Sequence, residues 1–184
     1  SLGTAVQGYS VVFNGASNSV TNATTFSNTG GVTFGNDNTD VSVFTNGVIN
    51  NASTTSLMGY LRTAGFGIDL GTVTLGGTSI IDSTNNGVTA TGAAIDVAAV
   101  SGAYGLTLNA GTSASSDITA TSFSSLTGLT LTQADTLTVS GATGATAITL
   151  TDANGAITFG GNVTATSLGT AVQGYSVVFN GASN

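Results

Sequence analysis

The dominant pattern is a triplet of an apolar, a small polar and an apolar residue, usually closed by a turn residue. It reads Val32-Thr33-Phe34-Gly35, Ile68-Asp69-Leu70-Gly71, Val73-Thr74-Leu75-Gly76 and Ile95-Asp96-Val97 in the first part of the chain. Leu106-Thr107-Leu108, Leu129-Thr130-Leu131, Leu137-Thr138-Val139, Ile148-Thr149-Leu150 and Ile157-Thr158-Phe159-Gly160 continue it. Alternation with period two places the flanking residues on one face of a strand and the central residue on the other. The expected interior residues include Val32, Phe34, Ile68, Leu70, Leu106, Leu108, Ile148, Leu150, Ile157 and Phe159. The expected outward ladder is Thr33, Thr74, Thr107, Thr130, Thr138, Thr149 and Thr158. Val, Ile, Thr and Phe suit such a half-buried pleated surface. Helical periodicity is nearly absent. Ala93 to Val100 comes closest, and its Ile95-Asp96-Val97 fits the strand pattern better.

Between triplets stand residues that hydrogen-bond their own backbone or tolerate positive φ: Asn14-Gly15, Gly35-Asn36-Asp37-Asn38, Asn46-Gly47, Asn85-Asn86-Gly87 and Asp152-Ala153-Asn154-Gly155. Asn-Gly also fits hairpins, which would build an antiparallel sandwich. The spacing favours a coil of parallel strands. Leu106, Leu129 and Ile148 begin one series of similar triplets and Leu137 and Ile157 another, at intervals of about 19 to 23 positions. No composition shift marks the ~100-residue domains of a sandwich. The expected fold is all-β, a parallel β-helix or β-solenoid, in which stacking buries a column that no single coil could bury. Each fully buried aliphatic or Phe side chain contributes roughly 1.5–3 kcal/mol.

The segment Ser1 to Asn18, SLGTAVQGYSVVFNGASN, recurs unchanged as Ser167 to Asn184. Self-similarity at a fixed offset marks repeat architecture. Residues 1–166 read as one full period, and 167–184 as the start of the next identical one. The period would hold about seven to nine coils and, at ~4.8 Å per stacked coil, advance about 34 to 43 Å.

Composition removes several function classes. The chain has 8 acids and one base, Arg62, for a net charge of −7, with no His, Cys, Pro or Trp. One cation cannot neutralise a phosphate backbone, so nucleic acid is not an expected partner. Without cysteine there is no disulfide framework or thiolate metal site. The aliphatic residues scattered throughout argue against disorder. No apolar run approaches the ~18 residues of a membrane-spanning helix, so membrane insertion is not expected either.

The strings GNVTATS, YSVVFNGAS, NTGGVTFGN and LGTVTLGG resemble the strand-repeat regions of filamentous-haemagglutinin-like and autotransporter-passenger surface proteins of bacteria. The resemblance covers nearly the whole chain and lies in its short strands rich in Thr, Asn and Gly. It implies a right-handed parallel β-helix on the cell exterior, serving adhesion, surface structure or filament formation.

The candidate chemistry is thin. Asp69, Asp82 and Asp96 recur at nearly equal intervals and could line one face as paired carboxylates. A place at turns and wet strand faces is the simpler expectation. Gly35-Asn36-Asp37-Asn38-Thr39-Asp40 resembles an oxygen-rich calcium loop but lacks the closing Glu, so a turn is expected there. Gly76-Gly77-Thr78-Ser79-Ile80-Ile81-Asp82 lacks the third Gly of the calcium-binding nonapeptide. Outward Thr could make an ice-binding face, but Ala, Asp and Ser interrupt the ladder. Asn22, Asn51 and Asn162 open glycosylation-type triplets at the frequency chance supplies. Arg62, within Leu57-Met58-Gly59-Tyr60-Leu61-Arg62, is expected to pair with an Asp, in a stretch that breaks the triplet rule and so marks an irregular coil, a lateral contact or an excursion. No catalytic residue, metal ligand or cofactor is expected, and the chain does not read as an enzyme. The expectation is a structural segment of a long extracellular bacterial fibre or stalk. Its partners would be neighbouring repeats end to end and identical chains laterally. The alternative is an adhesin whose outer strand faces bind glycan or a host or partner-cell surface.

Overall fold

The computed structural model describes residues 2–184. These form eighteen strands joined in one continuous sheet, with no helix among the described residues. Every ladder between these strands is parallel, and the chain winds as a β-solenoid of about eight coils. Among the described residues the single antiparallel contact is an isolated bridge between Ala64 and Thr84.

Each coil has three walls. Wall I starts with Val11–Phe13 and continues through Val32–Phe34 and residues 55–57, 73–75, 99–101, 122–124 and 143–144 to Val163–Thr164. Wall II runs from Ser17–Val20 through Val41–Phe44 and residues 59–62, 79–82, 105–109, 128–133 and 147–150 to Ser167–Thr170. Wall III runs from Thr24–Thr25 through Val48–Asn50, Ile68–Leu70, residues 95–97 and 118–120, Leu137–Val139 and Ala156–Phe159 to Ser176–Phe179. The alternation in the triplets sets this register, because a one-residue slip would turn every interior side chain outward. Leu106 lies on Leu129 and Leu129 on Ile148, while Leu137 lies on Ile157.

Coil length follows the ladder of wall III, whose successive partners are Thr24, Val48, Ile68, Ile95, Ile118, Leu137, Ile157 and Val177. The coils vary in length more than the triplet spacing suggests, and the longest runs from Ile68 to Ile95. It carries residues 83–94, which leave the wall as a turn-rich excursion. Asn85, Asn86 and Gly87 turn it with φ of 53°, 60° and 82°. Asn and Gly are the residues that take this region at least cost. Ser83 closes its base: Oγ donates to the Ala93 and Ala110 carbonyls and accepts from the Ala93 amide.

The break in the triplet rule at Leu57 to Arg62 is an irregularity in the coil, a register shift between Leu57 and Gly59, and not an excursion. Thr55–Arg62 is a continuous strand bridging walls I and II, with Leu57 and Leu61 buried. The broken alternation marks a corner at Gly59, φ +85°. Ala93 to Val100 contains most of the strand Ile95–Ser101.

One apolar column fills the interior. Val32, Phe34, Ile68, Leu70, Leu106, Leu108, Ile148, Leu150, Ile157 and Phe159 all lie in it, none more than 1% exposed. Thr33, Thr74, Thr107, Thr130, Thr138, Thr149 and Thr158 stand on the outer face, exposed or half-exposed. The column is not purely apolar, since Asn28, Asn50, Thr55 and Ser79 are also fully buried. Asn50 satisfies itself with Thr55 and Ser53 through hydrogen bonds of 2.8 and 3.0 Å. Asn28 Nδ2 donates to the carbonyls of Gly31 and Tyr9. Buried polar groups persist where they are paired, as Asn50 is, whereas Asn28 is satisfied only at Nδ2 and its buried Oδ1 has no partner among the described residues.

Candidate interaction surface at the two ends

The carboxylates do not converge. Asp69 and Asp96 are in register on the outer face of wall III, Asp69 receiving Asn51 Nδ2 at 2.8 Å and Asp96 the Thr119 hydroxyl. Asp82 lies on wall II, buried, with its oxygens accepting from the Thr84 amide and hydroxyl and the Asn86 amide. Its partner is Arg62, Nε to Oδ2 3.6 Å, and the guanidinium also lies over the Tyr60 ring at 4.6 Å. This is the pairing expected of the lone base. In the loop 35–40 both acids serve the turn. Asp40 accepts from the Asn36 and Asp37 amides, and Asp37 from the Thr39 amide and hydroxyl. Hydrogen bonding from the Thr39 side chain and then its amide holds the Asp37 carboxyl below its ordinary value, because the bonds favour the charged form. Among the described residues no three potential metal ligands gather. Asn22, Asn51 and Asn162 are exposed or half-exposed.

A shallow groove of about 480 Å³ follows wall II beside the excursion, lined by Tyr60, Arg62, Ile80, Asp82, Asn86 and Asn109 among others. It holds the chain's one cation, Arg62, beside the buried Asp82. Its charges, however, are already paired with each other.

The surfaces with unmet bonding capacity are the ends. At the start, Val11–Phe13 pairs only upward, with Val32–Phe34. At the finish, Ser176–Phe179 pairs only downward, with Ala156–Phe159. Each leaves a row of backbone donors and acceptors facing outward, the usual template for another strand. Apolar side chains accompany them: Val12 is 54% exposed, Phe179 38% and Leu168 45%. At the finish the core opens into a hollow of about 280 Å³ lined by Val163, Leu168 and Phe179, one residue from each wall, together with Ala165, Thr166, Ser167 and Asn184. A cluster of four phenylalanines, Phe13, Phe26, Phe34 and Phe44, plugs the column at the start, with ring centroids 5.4 to 6.0 Å apart. The triplets do not reveal Phe13, Phe26 or Phe44 as a cluster, because Phe26 stands in a corner and only the coil geometry brings the four together.

The two ends share one eighteen-residue sequence, and among the described residues the two copies repeat several local contacts, although 167–170 is a strand and 2–4 is not. The Ala5 amide donates to the Tyr9 hydroxyl at 2.7 Å, and the Ala171 amide to the Tyr175 hydroxyl at 3.1 Å. Gln7 N bonds to Ala5 O as Gln173 N does to Ala171 O. Asn18 Nδ2 donates to Gly15 O and Asn184 Nδ2 to Gly181 O, both at 2.8 Å.

No protein-family model matches the chain, nor does any curated protein or solved structure. No helix of the described residues is long and apolar enough to cross a membrane.

Proposed function

We propose that the chain is a structural segment of a long extracellular bacterial surface fibre or stalk, in which blocks equivalent to residues 1–166 follow one another as tandem identical repeats. The observation that carries this reading is the pair of ends. The same eighteen residues appear at both, with shared local contacts, and each copy leaves unpaired strand edge and apolar surface where a further coil would stack. The rest of the rod has its lone cation paired, its carboxylates dispersed and its outer face covered with short hydroxyl side chains, which suits a passive spacer. On this reading the protein is not an enzyme, and its partners are neighbouring repeats end to end and identical rods laterally. The resemblance to filamentous-haemagglutinin-like and autotransporter-passenger proteins supports a location on the cell exterior.

The groove beside Arg62 and Tyr60 favours a second reading, an adhesin that takes glycan or a partner surface on wall II. The test is the full-length product on its own cell. Intact-mass or repeat-resolved sequencing should reveal many copies of the block, and antibody to the repeat should label intact cells along filaments. A single-copy product would overturn the fibre. Loss of attachment on Arg62→Ala with filaments intact would establish the adhesin instead.

A further inference from the structure

Identical ends do not occupy identical walls. Val11–Phe13 begins wall I, yet its twin Val177-Val178-Phe179 ends wall III. Ser167–Thr170 lies on wall II, one wall before 177–179. The described part of its twin at the start, Leu2 to Thr4, lies one wall before 11–13, beneath wall III, where the Thr4 hydroxyl accepts from the Ser27 amide. The order of walls is thus the same in both copies, and the whole set is displaced by one wall.

The backbone shows that one strand can satisfy both placements at once. In the first copy the Val11 amide donates to Gly31 O at 3.0 Å and the Phe13 carbonyl accepts from Gly35 N at 2.7 Å, so residues 11 and 13 face the strand above. In the second copy the Asn180 amide, twin of Asn14, donates to Phe159 O at 2.9 Å, so residues 178 and 180 face the strand below. Alternate residues of a parallel strand serve opposite neighbours, and no group is claimed twice. The side chains agree. Phe13 stacks on Phe34 and Phe179 on Phe159, both at 5.4 Å. A joint strand therefore aligns Ile157-Thr158-Phe159 below, Val-Val-Phe in the middle and Val32-Thr33-Phe34 above.

From this geometry, and resting on the tandem-array reading, we infer that each repeat docks the next with wall III passing into wall I, so that successive repeats are turned by a third of a coil. From residue 11 to residue 177 the chain takes twenty-three steps from wall to wall, three to a coil, or about 7⅔ coils. A repeat then rises ~37 Å, and three repeats, twenty-three coils or ~110 Å, bring a given face back to its bearing. The partner of each end is a second copy of this repeat. The joint encloses five phenylalanines, the four at the start of one repeat and Phe159 of the repeat before. The device distributes lateral features, the 83–94 excursion and the Arg62 groove, in three directions around the rod.

The test is made at one joint of the full-length chain, which has no cysteine in its repeat. Thr158→Cys in one repeat with Val12→Cys in the next should form a disulfide in high yield on mild oxidation, since in-register neighbours meet the ~4.4–6.8 Å Cα separation it needs. Thr164→Cys with Val12→Cys should remain unlinked. A link from position 164, or none from either, overturns the turned joint while leaving tandem copies in place. A gene product lacking a second copy overturns the array reading and the joint with it, and mass measurement separates that case from a failed link. Cryo-electron microscopy of the filament gives an independent readout. The turned joint expects the excursion at three bearings and an axial period of three repeats, whereas one bearing and an axial period of a single repeat refute it.

Discussion

The ring of Phe179 lies nearly flat on that of Phe159, centroids 5.4 Å apart and planes inclined by 12°. This contact exemplifies how the fold is held. Parallel in-register strands put like residues on like, so each interior column is a stack of similar side chains and each coil depends on the coils above and below. Stability and extension are consequently the same property.

Inward and outward substitutions should separate cleanly. Phe34 and Leu150 are no more than 1% exposed, and Phe34→Asp or Leu150→Asp would bury an unpaired charge at a cost of several kcal/mol. Thr33→Ser or Thr149→Ser, on the outer face, should shift stability by about 0.5 kcal/mol or less. Thermal melting followed by circular dichroism checks both. Equal damage from the two sets would mean that alternation is not what organises the fold.

Asp82 holds the excursion by accepting from Thr84 and Asn86 and by its ion pair with Arg62. Asp82→Ala should strip those donors and leave Arg62 over the Tyr60 ring without its counter-charge. A loss of about 1–3 kcal/mol is expected, with faster hydrogen exchange confined to residues 83–94. Exchange accelerated evenly along the rod would contradict a local clasp.

The fold is legible in the chain because its signal is periodic and is repeated in every coil. Leu106, Leu129 and Ile148, spaced by a coil, fall into direct register. What the pattern hides is non-periodic. Asn50 and Thr55 look like loop residues in the sequence, yet are buried because each supplies the other's hydrogen bond. The broken triplet at Leu57 to Arg62 marks an irregular coil that turns a corner within a strand, whereas the true excursion, residues 83–94, follows the ordinary turn chemistry of Asn-Asn-Gly and does not stand out. The wall displacement between the two ends depends on counting corners, and corners such as Ser125, a non-glycine residue at φ 60° within the strand Ile118–Gln133, carry no distinctive residue type.

Gly59 is a corner whose identity matters. Its φ is +85°, and a Cβ there would run into the Asp40 and Asp37 carbonyl oxygens. Gly59→Ala combines strain with a backbone clash, so it should cost more than about 1 kcal/mol and displace the loop 35–40. Gly87→Ala, also at positive φ but with nothing within 4 Å of its would-be Cβ, should cost less. Denaturant melts of the two variants give the comparison, and the reverse order would show that the clash is relieved.

Asp37 links the loop 35–40 to pH. Its folded carboxyl sits below the ordinary value of 3.8, chiefly through the Thr39 hydroxyl and then the Thr39 amide. A depressed folded value means that the carboxylate stabilises the native loop above the unfolded value, and that this contribution is lost as pH falls through the folded one. Carboxyl-detected NMR titration should place the Asp37 midpoint below 3.8, and Thr39→Val should raise it. An unchanged midpoint in that variant would remove the hydroxyl as the main cause.

The strand edges at 11–13 and 176–179 lead to the last expectation, end-to-end association of residues 1–184 taken alone, without the neighbouring repeats. Residues 11 and 13 commit their backbone groups to the strand above, so alternation directs the amide of Val12 to the free edge, beside a side chain that is 54% exposed. An open edge of this kind pairs with another strand unless it is blunted. Sedimentation velocity across a concentration series should therefore show growing rods. Val12→Pro removes the free-edge donor without touching a bond made within the chain, and Pro is tolerated on an edge strand in this orientation. That variant should associate markedly less while its melting temperature stays close to that of the parent. Undiminished association with Val12→Pro would place the contact elsewhere. A lowered melting temperature would show that the Val12 amide has a partner inside the coil after all.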